Sequence, residues 1–182
     1  MNVYSLANLE TLPDISVFLN LNELALRGGE RYCYAYELEM APLLRGGQEY
    51  EVFVPQGTQI TVDRIYGGFL VEVFLVASLH GPCERCLQEA EFEFEAREQE
   101  FVPTTAKDWD EADLSPYIKD FVVDVGSLAQ EAMVLALPNQ VVCSTQCKGL
   151  CYLCGKNLNL GSCECPSNTG DERWTILKDL NL

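Results

Sequence analysis

The run FLVEVFLVASLHGPCERCLQEAEFEFEA, residues 69–96, decides the fold. Phe69, Val71, Val73, Leu75, Ala77 and Leu79 recur at every second position, the period of a strand whose side chains alternate between two faces. The other face mixes Glu72 and Ser78 with Phe74 and Val76. Further on, Ala90, Phe92, Phe94 and Ala96 alternate with Glu89, Glu91, Glu93 and Glu95, as in an antiparallel partner with one face on a core and one in water. The spacing therefore predicts a hairpin with Cys83 and Cys86 at its tip. The glutamates read first as a solvated sheet face and second as an acidic docking surface.

Toward the N-terminus, residues 31–41 alternate as well, with Tyr32, Tyr34, Tyr36, Leu38 and Met40 on one face and Arg31, Cys33, Glu37 and Glu39 on the other. Cys33 is expected to be a buried or half-buried small residue. Tyr50, Val52 and Val54 define another strand after the turn signal Gly46-Gly47. Gln59 to Ile65 forms a further one, and Gly67-Gly68 connects it tightly to the long strand.

Toward the C-terminus, Asp108 to Ser115 is acidic and aperiodic and reads as a surface loop. After the apolar run Phe121-Val122-Val123, Asp124 or Ser127 can cap a helix, Ser127 and Gln130 stand at capping-box spacing, and Pro138 stops it. Leu128, Ala129, Ala132, Leu135 and Ala136 recur at helical spacing, and Val134 makes the helix apolar nearly all round, as for one packed between a sheet and another element. Glu131 reads as an ion pair or a helix-edge residue. Trp174, Leu177 and Leu180 suggest a short amphipathic helix. The expected fold class is α+β, a mostly antiparallel sheet with one or two packed helices. Residues 1–137 form an acidic β-rich domain, and residues 138–182 a cysteine-rich, zinc-binding tail docked on it.

With 48% hydrophobic and 10% aromatic residues among 182, the chain has enough apolar surface for a core. No run approaches the roughly 20 apolar residues that span a bilayer, and the start MNVYSLANLETLPD has no basic flank ahead of an apolar stretch, so neither membrane insertion nor export is expected. In a reducing compartment the nine cysteines read as metal ligands, and an odd number cannot all pair. The formal charge of −16 is unevenly placed. Residues 138–182 hold four basic side chains, Lys148, Lys156, Arg173 and Lys178, against four acidic ones, so residues 1–137 carry all of the net charge. Such a charge disfavours a sequence-independent grip on phosphate backbones.

The thiols fall at short spacings: Cys83-x-x-Cys86, Cys143-x-x-x-Cys147, Cys147-x-x-x-Cys151, Cys151-x-x-Cys154 and Cys163-x-Cys165. Two or three intervening residues let both sulfurs of a pair reach one tetrahedral ion at about 2.3 Å, and Gly155 gives the backbone freedom such a knuckle needs. A pure thiolate shell favours zinc over hard ions, although an iron–sulfur cluster uses the same ligands. Eight cysteines divide most economically into a local set, Cys151, Cys154, Cys163 and Cys165, and a long-range set, Cys83, Cys86, Cys143 and Cys147, implying two zinc ions. Closing the long-range loop of roughly 56 residues costs about 3 to 4 kcal/mol, against on the order of 10 to 16 from a structural zinc. A competing division joins Cys147, Cys151, Cys154 and one of Cys163 or Cys165, leaving Cys83 and Cys86 as thiols. Lys148 and Lys156 either compensate charge among the thiolates or contact phosphate. The sole histidine, His80, reads as a polar loop residue, and no nucleophile–base set or phosphate-cradling glycine loop is present.

The words CERCL (Cys83 to Leu87), ALP (Ala136 to Pro138), CKGLCYLCGKNLN (Cys147 to Asn159) and CEC (Cys163 to Cys165) together resemble, in order and spacing, the YceD-like family of large ribosomal RNA subunit accumulation proteins across residues 30–182. Tyr152 and Leu153 stand where many relatives carry proline. The resemblance implies a factor without catalytic residues that supports synthesis, processing or stability of large-subunit (23S) rRNA, in a bacterial cytoplasm or a plastid stroma. On this reading the tail binds immature large-subunit particles through Lys148, Lys156 and Arg173, its partner being an rRNA precursor or a basic ribosomal protein. A thiol redox protein using Cys83 and Cys86, or a zinc-scaffolded adaptor, are the alternatives.

Overall fold

The computed structural model describes residues 17–105 and 114–166. Its elements in chain order are β1 (Phe18–Asn20), β2 (Arg31–Tyr36), β3 (Leu43–Arg45), β4 (Gln48–Phe53), β5 (Thr58–Ile65), β6 (Gly68–Pro82), β7 (Glu89–Pro103), β8 (Ile118–Lys119), β9 (Val122–Asp124) and α1 (Val125–Ala136). The alternation that marks residues 69–79 lies within β6, which pairs antiparallel with β7 over its whole length, from Gly68↔Pro103 to Pro82↔Glu89. β7 takes one edge of β6. β5 and β4 share the other, β5 against Gly68–Leu75 and β4 against Ser78–His80. β2 extends the sheet beyond β5 and β3 beyond β4, while β1, β9 and β8 form a small second sheet. The architecture is mostly antiparallel sheet with one helix among the described residues.

The main core lies between one face of this sheet and α1. Val71, Val73, Leu75 and Ala77 of β6, with Ile60 and Val62 of β5 and Ala96 of β7, meet Leu128, Ala129 and Ala132. Each fully buried Val or Leu contributes about 1.5 to 3 kcal/mol. A smaller core lies at the hairpin tip, where Tyr50, Leu79 and Ala90 pack with Val141 and the thiols of Cys83, Cys86 and Cys147. The Tyr50 hydroxyl donates to the Pro82 carbonyl at 2.9 Å, so burying this ring leaves no polar atom unsatisfied.

Several local expectations change. β2 stops at Tyr36 rather than near residue 41, and the sequence pattern gives no sign of the short β1, β3 and β8. Cys33 is exposed: it sits on the solvent face of β2, an edge strand, where its sulfur accepts from Gln59 Nε2 at 3.2 Å. His80 lies within β6 rather than in a loop, with Nε2 3.3 Å from Glu91 Oε1. Asp124, not Ser127, caps α1. Its Oδ1 accepts from the Ser127 N–H at 3.0 Å, and the Ser127 hydroxyl donates back to Asp124 Oδ2 at 2.8 Å instead of forming a capping box. Leu137, the residue before Pro138, is extended and ends the helix. Val134 and Leu135 are 44% and 64% exposed, so among the described residues α1 buries one face only. Glu131 accepts a hydrogen bond from the Tyr117 hydroxyl at 3.1 Å rather than an ion pair. The acidic loop is described only from Leu114 onward, and the Trp174, Leu177 and Leu180 segment lies outside the described residues.

Candidate metal centres

The hairpin tip and the chain leaving α1 meet at the smaller core. There Cys83, Cys86, Cys143 and Cys147 bring their sulfurs within 4.8 Å of one another, with Cys83 to Cys147 at 3.8 Å and Cys86 to Cys143 at 3.6 Å. Cys151, Cys154, Cys163 and Cys165 form a second group within the same limit, Cys151 to Cys163 being 3.5 Å apart. These separations far exceed a disulfide bond of about 2.05 Å. They lie close to the roughly 3.8 Å edge of a sulfur tetrahedron around an ion at about 2.3 Å, so both groups could hold a metal ion and the soft donor set suits zinc. This grouping is the local-plus-long-range division, and Cys33 stands apart from both.

Both knuckles use one turn. The Leu87 N–H donates to the Cys83 carbonyl at 2.9 Å, and the Gly155 N–H to the Cys151 carbonyl at 2.8 Å. The residue after the second cysteine is left-handed in each case, with φ 60° at Leu87 and 72° at Gly155. Glycine tolerates that conformation freely, whereas leucine pays about 1 to 2 kcal/mol.

Two arginines, neither singled out by sequence reasoning, lock the first group in place. Arg85 donates to Gln140 Oε1 at 3.0 and 2.9 Å and to the Cys147 carbonyl at 3.3 Å, while its own carbonyl accepts from the Leu150 N–H at 3.1 Å. Arg45 donates to the carbonyls of Pro138, at 2.7 Å, and Asn139, and its Nε lies 3.0 Å from Glu84 Oε1. A Cβ at Gly149 would stand 3.1 Å from the Arg85 carbonyl, so glycine permits this close approach. Asn159 joins the groups: its Nδ2 donates to Cys147 Sγ at 3.3 Å and its Oδ1 accepts from the Lys148 N–H at 2.8 Å. Only the tertiary placement reveals these roles, because isolated arginines and an asparagine carry no spacing signal.

Burial raises the Cys83 thiol, but N–H groups of Cys143, Arg85 and Cys86 aimed at its sulfur overcome this and lower it to about 6. N–H groups of Cys154 and Leu153 likewise bring Cys151 to about 6, and Asn159 lowers Cys147. Their neighbours move the other way. Hydrogen bonding to Cys86 and Cys147 raises Cys143 to about 12, and bonding to Cys154 raises Cys165 to about 12. Closely packed thiols cannot all ionise together, and a divalent cation among them removes that conflict. Of the expected contact residues, Lys148 is exposed, Lys156 Nζ donates to the Ser162 carbonyl at 2.7 Å, and Arg173 lies outside the described residues.

The family profile described as large ribosomal RNA subunit accumulation protein YceD matches residues 71–181, a span that contains both cysteine groups. The chain is also similar to a protein of Arabidopsis thaliana named large ribosomal RNA subunit accumulation protein YCED homolog 1, chloroplastic, with 30% identity over 74 residues. That alignment covers 40% of this chain and 22% of the relative. No solved structure matches the chain.

Proposed function

Because this chain belongs to the YceD family of large ribosomal RNA subunit accumulation proteins, we propose that it is a non-enzymatic ribosome-biogenesis factor supporting the synthesis, processing or stability of large-subunit rRNA. The observation that carries the reading is the pair of four-cysteine groups inside the matched residues. In this reading Cys83, Cys86, Cys143 and Cys147 hold one zinc ion, and Cys151, Cys154, Cys163 and Cys165 a second. Zinc, when bound, supplies the divalent charge that keeps four thiolates at tetrahedral spacing. The chain's own part is to carry residues 138–182 as a fixed surface on the acidic body, residues 1–137. Lys148, Lys156 and Arg173 then meet an rRNA precursor or a basic ribosomal protein in a bacterial cytoplasm or plastid stroma. Among the described residues no helix is long and apolar enough to cross a membrane.

Depletion of the protein should lower mature large-subunit rRNA relative to its precursors, and the protein should sediment with immature large-subunit particles. Unchanged precursor and mature levels would remove the assignment. One observation favours a thiol redox reading, the lowering of Cys83 to about 6, which makes it a thiolate near neutrality. Its complete burial argues against that role, since thiol–disulfide exchange needs access to the sulfur.

A further inference from the structure

One face of the large sheet is covered by α1, and the other is open among the described residues. Its rungs follow from the register. Glu51 of β4, His80 of β6 and Glu91 of β7 lie side by side, then Phe53, Ser78 and Glu93, and beyond them Val76 beside Glu95. Phe53 is 46% exposed, its ring meets His80 edge-on at 4.9 Å, and Phe74 and Val76 are half-buried. The β7 margin carries Glu89, Glu91, Glu93 and Glu95, and the β4 margin Glu51 followed by Phe53. The middle row runs His80, Ser78, Val76 and Phe74, the last lying between Gln59 and Arg97 with the Arg97 guanidinium 5.3 Å from its ring centre. At one end Glu49, Glu51, His80, Glu89 and Glu91 line an open cleft of about 570 Å³. Among the described residues no basic side chain pairs with Glu93 or Glu95.

We propose that this face, across β4, β6 and β7, docks a lysine- and arginine-rich amphipathic helix of a protein partner. The apolar stripe of such a helix covers Phe53 and Val76, and its flanking cations meet Glu91, Glu93 and Glu95 on one side and Glu49 and Glu51 on the other. The solvated-face reading accounts for the glutamates, yet it gives no reason for the exposed Phe53 and for Val76 beside them. Val76 to His80 spans roughly 13 Å at about 3.3 Å per residue, so about 9 helical residues at about 1.5 Å each would cover it. Phosphate backbones are repelled by the same carboxylates, so RNA is not the occupant. The inference rests on the functional reading only for where such a helix is met, and it is tested apart from it.

The probe is an 18-residue synthetic helical peptide with leucines on one face and lysines on the other, titrated into the metal-loaded full chain and followed by amide NMR shifts and anisotropy. Shifts are expected at Phe53, Val76, Glu91 and Glu93. A scrambled peptide of equal charge and a glutamate-for-lysine counterpart should bind at least tenfold more weakly. Glu91→Lys with Glu93→Lys should weaken binding at least tenfold and Phe53→Ser at least threefold, and if the double variant melts early, Glu93→Gln with Glu95→Gln replaces it. Several results would overturn the proposal: shifts confined to other surfaces, equal binding of the scrambled peptide, indifference to Phe53→Ser, a single-stranded RNA oligonucleotide moving the same amides, or self-association of the chain through this face. A chain that runs with large-subunit precursors yet ignores the peptide sinks this inference alone. One that binds the peptide but never runs with precursors sinks the functional reading alone.

Discussion

At the hairpin tip the N–H of Leu87 closes a turn onto Cys83, and in the tail the N–H of Gly155 closes the same turn onto Cys151. The two cysteine groups nevertheless occupy opposite surroundings. The first joins segments far apart in sequence, buries Cys83, Cys86 and Cys147 in a small core, and is braced by Arg45 and Arg85. The second is local, and only Cys151 of its four is buried. Identical turn chemistry thus serves a clamp between tail and sheet in one place and a self-contained loop in the other. The two groups therefore differ in what their loss costs the rest of the fold.

The largest difference is expected between single-ligand variants. Cys83→Ser should remove one metal ion and lower global stability by about 3 to 5 kcal/mol, since it opens both the metal link and a buried contact. Cys163→Ser should also remove one ion but shift global unfolding by less than about 1 kcal/mol, because a local loop opens without the sheet. Denaturant melts with metal counts read both numbers, and equal losses would erase the distinction.

Arg85→Ala sharpens it further. Loss of three donor contacts from a part-exposed guanidinium should cost about 1 to 2 kcal/mol. In a chelator competition it should speed metal loss from the first group and leave the second unchanged.

The pH dependence should, by contrast, be shared. In the metal-free chain Cys143 and Cys165, both near 12, stay protonated up to pH 9, while Cys83 and Cys151, near 6, are ionised above about pH 7. Binding must release at least one proton per group, so affinity rises at least about tenfold per pH unit between pH 7 and 9. Below about pH 6 the slope steepens as Cys83 and Cys151 also take up protons. Non-parallel slopes from competition titrations would show that the two groups are not chemically equivalent. The smallest effect lies in the turns: Gly155→Ala should destabilise the second group by about 1 kcal/mol, and Leu87→Gly should stabilise the first by about 0.5 to 1, read as shifts in melting midpoint.

Much of this was legible in residue order. The hairpin was visible because β6 and β7 each bury one face, and burial imposes a period of two. Its full extent was not, because Glu98 and Glu100 break the apolar alternation on the inner face of β7, where both are half-buried. Cys33 is exposed where burial is expected because its strand turns Tyr32 and Tyr36 to the core and leaves the opposite face to solvent, with Gln59 and Thr61 beside the sulfur. The division of eight thiols into two sets was readable from loop-closure cost and spacing, since ligand geometry tolerates few alternatives. Arg45, Arg85 and Asn159 left no trace, because their partners are backbone carbonyls, an amide and a sulfur from distant segments.

Native mass spectrometry of the reduced, freshly purified full chain counts the bound metal ions. Two zinc ions per polypeptide, with all cysteines as thiols once the metal is removed in acid, is the outcome that follows from paired four-sulfur centres. A folded chain whose mass carries no metal, or whose thiols are joined as disulfides, would contradict it.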